Sequence, residues 1–302
     1  MGTSSRTRDA IPAHMVTRTR LDNPYRRRRA RPPPSEENLW AFLKRMKVFT
    51  LSEALAVDAR SGRQSSSTLQ ILKRYLAEER IVSLRRGVYC TRTGDVDEVL
   101  LGSKLTDDAV LAYTGAAAFH GLYTILYGLQ FLTASKFRRF VFSECIYQPI
   151  ATANPRAQEQ VERHVRGAHV IFVTSKERTL VDLLDRLEFV WDLRDLWAAF
   201  RSAGRLDIKV MVDHAVRLGR ALTCARLGLF LENLGLDGLH EHLFRLGDCA
   251  PKQSTYFDRV NTTSDTTNQF VRRWNLVADL DFLLYLDGRK PEYVPVGTIL
   301  DN

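Results

Sequence analysis

The sequence predicts an α+β chain: a small unit of three short helices closed by a hairpin, followed by a larger mixed α/β domain. Three observations carry this. Helical and strand periodicities alternate along the chain. A polar stretch with a glycine, "TRTGDVDE" at 91–98, separates two stretches of different character. The charge also divides there. Residues 1–90 hold 19 Lys and Arg against 8 Asp and Glu, a net charge of +11, whereas the remainder holds 25 against 27, a net charge of −2. At 302 residues and 45% hydrophobic content the chain is long enough for two domains, each with its own core. The expected boundaries are an arm at 1–35, a first domain at 36–93 and a second at 94–302.

Residues 1–35 read as a disordered basic arm. "PYRRRRARPPP" (24–34) holds five arginines, four prolines and no apolar periodicity. Such a segment cannot bury enough surface to offset its ordering entropy, and it is suited to following a phosphate backbone. No apolar run follows its charges, as a secretory signal requires, and no amphipathic helix marks a transit peptide.

Order is expected from Ser35. A serine followed by Glu36 and Glu37 starts a helix, with Leu39, Trp40, Phe42, Leu43 and Met46 on its apolar face. Thr50 and Glu53 form a capping box for a second helix that buries Leu51, Ala54 and Leu55. "DARSGRQ" (58–64) is a turn. "SSSTLQILKRYLAEER" (65–80) begins with serines suited to capping, with Leu69, Leu72, Leu76 and Tyr75 expected inside. "IVSLRRGVYC" (81–90) reads as two strands about an Arg-Arg-Gly turn.

Three helices and a hairpin in this order predict a winged helix-turn-helix. The leucines of the third helix fasten it to the first two. Its polar side, with Ser66, Ser67, Gln70, Lys73 and Arg74, is then free for a major groove, with Arg63 just before it. The hairpin carries Arg85 and Arg86 toward the flanking phosphates. With the charge asymmetry, these eight residues are the candidate contacts to double-stranded DNA.

In residues 94–302, "LTDDAVLAYTGAAAFHGL" (105–122) reads as one helix, and "RRFVFSECIYQ" and "AHVIFVT" as strands. Thr174 with Glu177 suggests a second capping box, followed by Leu180, Leu183, Leu184 and Leu187 at helical spacing. Further helical stretches run through 192–203 and 207–234, and the last 65 residues mix both patterns.

The residues of this domain assemble no recognisable chemistry, so no catalytic residue, metal or cofactor is expected. His120 sits among small apolar residues and reads as a core histidine. His164 and His169 have no acidic or thiol partners at ligand spacing, and His240 and His242 are two apart, which on a helix places them on different faces. Asp107 and Asp108 are adjacent, whereas a two-metal site needs carboxylates projecting to one side. Asp182 and Asp185 read as solvated or ion-paired. The cysteines, Cys90, Cys145, Cys224 and Cys249, form no CxxC pair, which fits a reduced, cytoplasmic chain. No apolar run reaches the roughly 18–20 residues of a membrane span.

"GSKLTDDAVLAYTGAAAFHGL", "VTSKERTLVDLLDRLE" and "VRLGRALTCARLGLFLENLGL", after an amino-terminal unit that ends in "RRGVY", form a succession over residues 36–236. It resembles the AbiEi-type antitoxins of type IV toxin–antitoxin, or abortive-infection, systems. The resemblance implies a repressor that binds inverted repeats in its own promoter through residues 65–74 and the Arg-Arg-Gly tip. It implies a carboxy-terminal domain that supplies antitoxin activity. The cognate toxin would be a nucleotidyltransferase-like protein, countered without a stable complex. No catalytic residue carries over. The alternatives are a ligand- or partner-responsive winged-helix regulator with no toxin, and an enzyme anchored on nucleic acid by its winged domain.

Overall fold

Leu39, Phe42, Leu43 and Met46 fall on one side of a helix, and α1 (Leu39–Met46) buries all four. The computed structural model describes residues 39–60, 62, 64–92, 96–123, 128–142, 144–258 and 267–288. The basic arm and Arg63 therefore lie outside the described residues. After α1 comes a strand that periodicity did not reveal, β1 (Val48–Thr50), then α2 (Leu51–Arg60) and α3 (Ser65–Ala77). The Thr50–Glu53 capping box forms at the start of α2: the Thr50 amide donates to Glu53 Oε2 at 2.8 Å and the Glu53 amide to Thr50 Oγ1 at 3.2 Å. The hairpin is β2 (Ile81–Arg85) and β3 (Val88–Thr91). Both flanking strands pair antiparallel with β3, in the order β1-β3-β2.

Two expectations for α3 are corrected. Its first turn is not capped by a serine, because the position before the helix is Gln64, whose side chain makes no capping bond. Its buried residues are Thr68, Leu72 and Tyr75, at i, i+4 and i+7, while Leu69 faces out and Leu76 is half-buried.

The small sheet has two apolar faces. Phe49 and Ile81 join Leu43, Ala54, Leu72 and Tyr75 in the core under the three helices. Val48, Leu84, Val88 and Cys90, which alternate with them, join Leu101, Leu111, Leu129, Phe131 and Ile171 from the following part of the chain in a second core.

The chain continues with α4 (Glu98–Ser103), capped by Asp97, then β4 (Val110–Ala112) and α5 (Tyr113–Phe119). The single helix expected over 105–122 is thus a strand followed by a helix. Val110, Leu111 and Ala112 are all fully buried, and Tyr113, at φ +50°, breaks the backbone between the two elements. Next come β5 (Gly128–Thr133), β6 (Phe140–Phe142), β7 (Cys145–Ala151), β8 (Val161–Arg166) and β9 (His169–Thr174). With β4 they form a mixed six-stranded sheet, β6-β7-β5-β4-β9-β8. Leu111, Leu129 and Phe131 face the small sheet and α4, and Val110, Ala112 and Leu132 face the carboxy-terminal helices.

Those helices are α6 (Lys176–Asp185), α7 (Leu193–Ser202), α8 (Ile208–Leu218), α9 (Ala221–Asn233) and α10 (His240–Cys249). The cap of α6 is Ser175, whose Oγ accepts from the Arg178 amide at 3.2 Å. Thr174 instead ends β9 and Glu177 accepts from the Asp207 amide, so the expected capping box is shifted by one residue. The stretch 207–234 is split at Gly219, which ends α8 at φ +65°. A last three-stranded sheet, β10-β12-β11, is built from β10 (Thr255–Tyr256), β11 (Asn268–Val271) and β12 (Leu276–Asp279), followed by α11 (Leu280–Leu286). The chain is therefore a mixed α+β protein, and its described residues, from Leu39 on, belong to one compact unit. Among the described residues no helix is long and apolar enough to cross a membrane.

One contact fixes how the last sheet meets the helices. Trp274 is fully buried, donates from Nε1 to Glu232 Oε2 at 2.8 Å, and lies flat against Gly228 in the middle of α9. A Cβ at Gly228 would stand 2.2 Å from the indole ring, so a glycine that weakens the helix is required by the packing. Gly228→Ala is expected to destabilise by about 1–3 kcal/mol, the usual cost of overpacking a filled core. Gly247→Ala, in α10 with open space around it, is expected to stabilise by about 0.5–1 kcal/mol. Thermal unfolding of both variants checks the opposite signs, and an unchanged midpoint for Gly228→Ala would show that Trp274 can move aside.

Candidate nucleic-acid interface

α3 is held from behind and open in front. Behind, Thr68 Oγ1 donates to the buried carboxylate of Asp58 on α2 at 2.7 Å, which gives a polar residue its place inside. Tyr75 packs edge-on to Trp40 at 5.1 Å, and the Arg80 guanidinium lies 3.9 Å from the centre of the Trp40 ring and 4.4 Å from that of Tyr75. In front, Ser66, Gln70, Lys73 and Arg74 are exposed, and Ser67 is half-buried. Arg74 pairs with Glu78 at 3.7 Å, but both side chains are solvated, and such a pair is readily exchanged for another anion. Lys73 makes no ion pair among the described residues.

The hairpin tip separates the two arginines that the sequence placed together. Gly87 turns the chain at φ +81°, and its carbonyl accepts from the Leu51 amide at 2.8 Å, tying the turn to the start of α2. Arg86 stands exposed in the turn. Arg85 is half-buried at a bulge, with its guanidinium 4.1 Å from the centre of the Phe137 ring, beyond β5. Burial draws its pKa below the ordinary arginine value. Lys104, just after α4, reaches Glu53 of the capping box, so the start of α2 is also fastened to the end of α4. Of the eight predicted contacts, Ser66, Gln70, Lys73, Arg74 and Arg86 are open to solvent. Ser67 and Arg85 are partly covered, and Arg63 is outside the described residues.

Many titratable groups after residue 96 are held in structural contacts. His120 Nε2 lies 2.7 Å from the Thr174 carbonyl, and burial lowers its pKa. His164 pairs with Glu162, and His240 and His242 lie on the helix α10. Asp182 is buried between Arg178, 3.1 Å away on its own helix, and His214 of α8, 2.7 Å away, while Arg178 also donates to the Glu159 carbonyl and Gln158. Asp185 accepts from Arg220 and Thr223. Arg226 donates to the carbonyls of Leu184 and Phe257. All four cysteines are free, and burial pushes the thiols of Cys145 and Cys224 up to about 11 and about 12, far from a ready nucleophile. Among the described residues no group of three His, Cys, Asp or Glu could hold a metal ion. A cavity of about 1020 Å³ lies between the segment that joins α6 to α7, the start of α9 and the last sheet, lined by Glu188, Asp192, Arg194, Arg220 and Asp279 among others.

No protein-family model and no curated protein matches the chain. In three dimensions it is similar to the crystal structure of the RV2827C protein from Mycobacterium tuberculosis, with a TM-score of 0.54 and 15% sequence identity. The likeness covers 80% of this chain and 89% of that one, and at this identity it is a likeness of fold alone.

Sequence reasoning missed Leu69 as a member of the open face. The spacing of Thr68, Leu72 and Tyr75 could have found it, had a threonine been allowed in the core. It also missed the Arg178–Asp182–His214 cluster, because His214 lies 32 residues from Asp182 and nothing local marks the pair.

Asp108, set aside above as half of an adjacent acidic pair, closes the end of β5. Burial alone would push its carboxyl up. Hydrogen bonds from the Thr133 hydroxyl, the Ala134 amide and the Ser135 hydroxyl outweigh that and hold it at about 2. A folded-state pKa below the unfolded one contributes stability that is present at neutral pH and is lost as pH falls from about 4 through about 2. Asp108→Asn is therefore expected to melt below the wild type at pH 7, with the gap narrowing as the pH approaches 2. Unfolding scans across that range check it, and a gap independent of pH would refute the assignment.

Proposed function

We propose that this protein is a DNA-binding transcriptional repressor whose residues 39–91 form a winged helix-turn-helix. The observation that carries the reading is α3: one face is locked to α1 and α2 through Thr68, Leu72 and Tyr75, and the opposite face offers Ser66, Gln70 and Lys73 to solvent. The element order and the antiparallel β1-β3-β2 sheet support it, as does the +11 charge of the first 90 residues. From Ser66 to Lys73 the helix rises about 10 Å, enough to face about three base pairs. Gln70 suits a base edge, Lys73 and Arg74 phosphates or guanines, and Arg86 the backbone beside the groove. Arg85 holds the hairpin to the body.

We further propose, on the resemblance to the AbiEi-type antitoxins, that the protein represses its own operon. It would counter a nucleotidyltransferase-like toxin without a stable complex, with residues 94–302 non-catalytic. Expression of such a toxin from a neighbouring gene should arrest growth, and co-expression of this chain should restore it. Persistent arrest would reject the antitoxin role and leave repression standing. The large cavity beside Arg220 and Asp279 favours a second reading, in which a small ligand bound in the carboxy-terminal part controls repression and no toxin is involved.

The two arginines of the hairpin should behave differently. Lys73→Ala and Arg86→Ala are each expected to weaken binding to any duplex and to lower the slope of log affinity against log salt by about 1, with unchanged melting. Arg85→Ala should cost about 0.5–1 kcal/mol of stability through the lost contact with Phe137. Gel shifts over a salt series with parallel melting curves check this. Unchanged affinity and slope for both Lys73→Ala and Arg86→Ala would reject the interface.

A further inference from the structure

Leu69 is 40% exposed on the open face of α3. Ile71 and Leu76 of the same helix lean on the core beneath it, whereas Leu69 belongs to none of the apolar clusters. A singly exposed leucine is ordinary on a protein surface. This one lies at i, i+3, i+4 and i+7 with Ser66, Gln70 and Lys73, so it stands in the middle of the groups that would meet DNA. Among the groups that base pairs present in the major groove, the one suited to an aliphatic side chain is the 5-methyl of thymine. The matching partner of a glutamine amide is adenine, through N6 and N7.

We propose that Leu69 reads a thymine methyl group next to an adenine read by Gln70, so that the operator carries adjacent A·T pairs opposite α3. The inference rests on α3 being the helix that enters the major groove. Its chemistry is apolar burial, not charge, and it therefore acts on the choice of sequence and leaves the general attraction to phosphates unchanged.

The test uses the full-length protein. A random duplex pool yields the preferred site by repeated selection. That site is then made with thymine or with deoxyuridine opposite α3, which keeps the pairing and removes only the methyl. Wild type is expected to bind the uracil probe about fourfold more weakly for each methyl lost. Leu69→Ala should bind both probes equally, and more weakly than wild type binds the thymine probe, with unchanged affinity for unrelated duplex. Leu69→Met should keep the preference for thymine. A selected site without adjacent A·T pairs, equal binding of the two probes by wild type, or a surviving preference in Leu69→Ala would each overturn the role of Leu69 and leave DNA binding intact. A pool that yields no site, with Lys73→Ala and Arg86→Ala unchanged on any duplex, would overturn the DNA-binding reading and this inference with it.

Discussion

The small sheet β1-β3-β2 is buried on both sides, and the geometry of the amino-terminal half depends on that. Side chains alternate along its strands, Phe49 and Ile81 toward the three helices, Val48, Leu84, Val88 and Cys90 toward the six-stranded sheet. Each large apolar side chain so buried is worth about 1.5–3 kcal/mol. A sheet held on one face can tilt or fray; one held on both has a single position. The hairpin turn is fixed by it, and Gly87 then bonds back to Leu51 at the start of α2. The polar contacts from the body, Lys104 to Glu53 and Arg85 over Phe137, act on elements that this apolar packing has already placed.

α3 stands in a different situation. It does not touch the large sheet's core and is retained by α1, α2 and the hydrogen bond from Thr68 to Asp58. Its outer face is left open. The apolar packing runs from β4 and β5 to the small sheet, and α3 has no member in that cluster. A repressor controlled from its carboxy-terminal part would use that route, by shifting the position of Arg86 relative to the groove face.

What could be read from the residues was mostly local. The Thr50–Glu53 capping box and the Gly87 turn depend on a few adjacent side chains, and both formed as the spacing implied. Where tertiary packing decides, the reading slipped. Val110–Ala112 is three residues long and wholly apolar, so it carries no period of its own, and only the sheet makes it a strand. Leu69 and Thr68 exchange the places that hydrophobicity would assign them, because a threonine with a buried carboxylate partner is a good core residue. The shift from Thr174 to Ser175 has the same origin: the Thr174 hydroxyl is taken by Thr179 across the strand end, leaving the next residue to cap the helix. The contacts that order the last sheet, Trp274 on Gly228 and Arg226 on the Phe257 carbonyl, join residues tens of positions apart and leave no local trace.

The division of charge acquires a structural meaning from these partners. In the body, arginines are building material. Arg178 binds Asp182 and Gln158, Arg220 binds Asp185, Arg245 binds Asp213, Arg273 binds Glu232, and Arg226 donates to two backbone carbonyls. Each of these cations has an acceptor within the fold. In the amino-terminal unit the same side chain types outnumber their acids, and Lys73 and Arg86 stand exposed on α3 and the hairpin turn without an ion pair among the described residues. Unpaired cations repel one another across such a surface, a cost that a folded unit of this size would shed by substitution if the charges served stability alone. Exposed cations also stand at the end of α1, at Lys44 and Lys47, and under the proposed function it is Lys73 and Arg86 that would meet phosphates, with Ser66, Leu69 and Gln70 set beside them on α3 toward base edges.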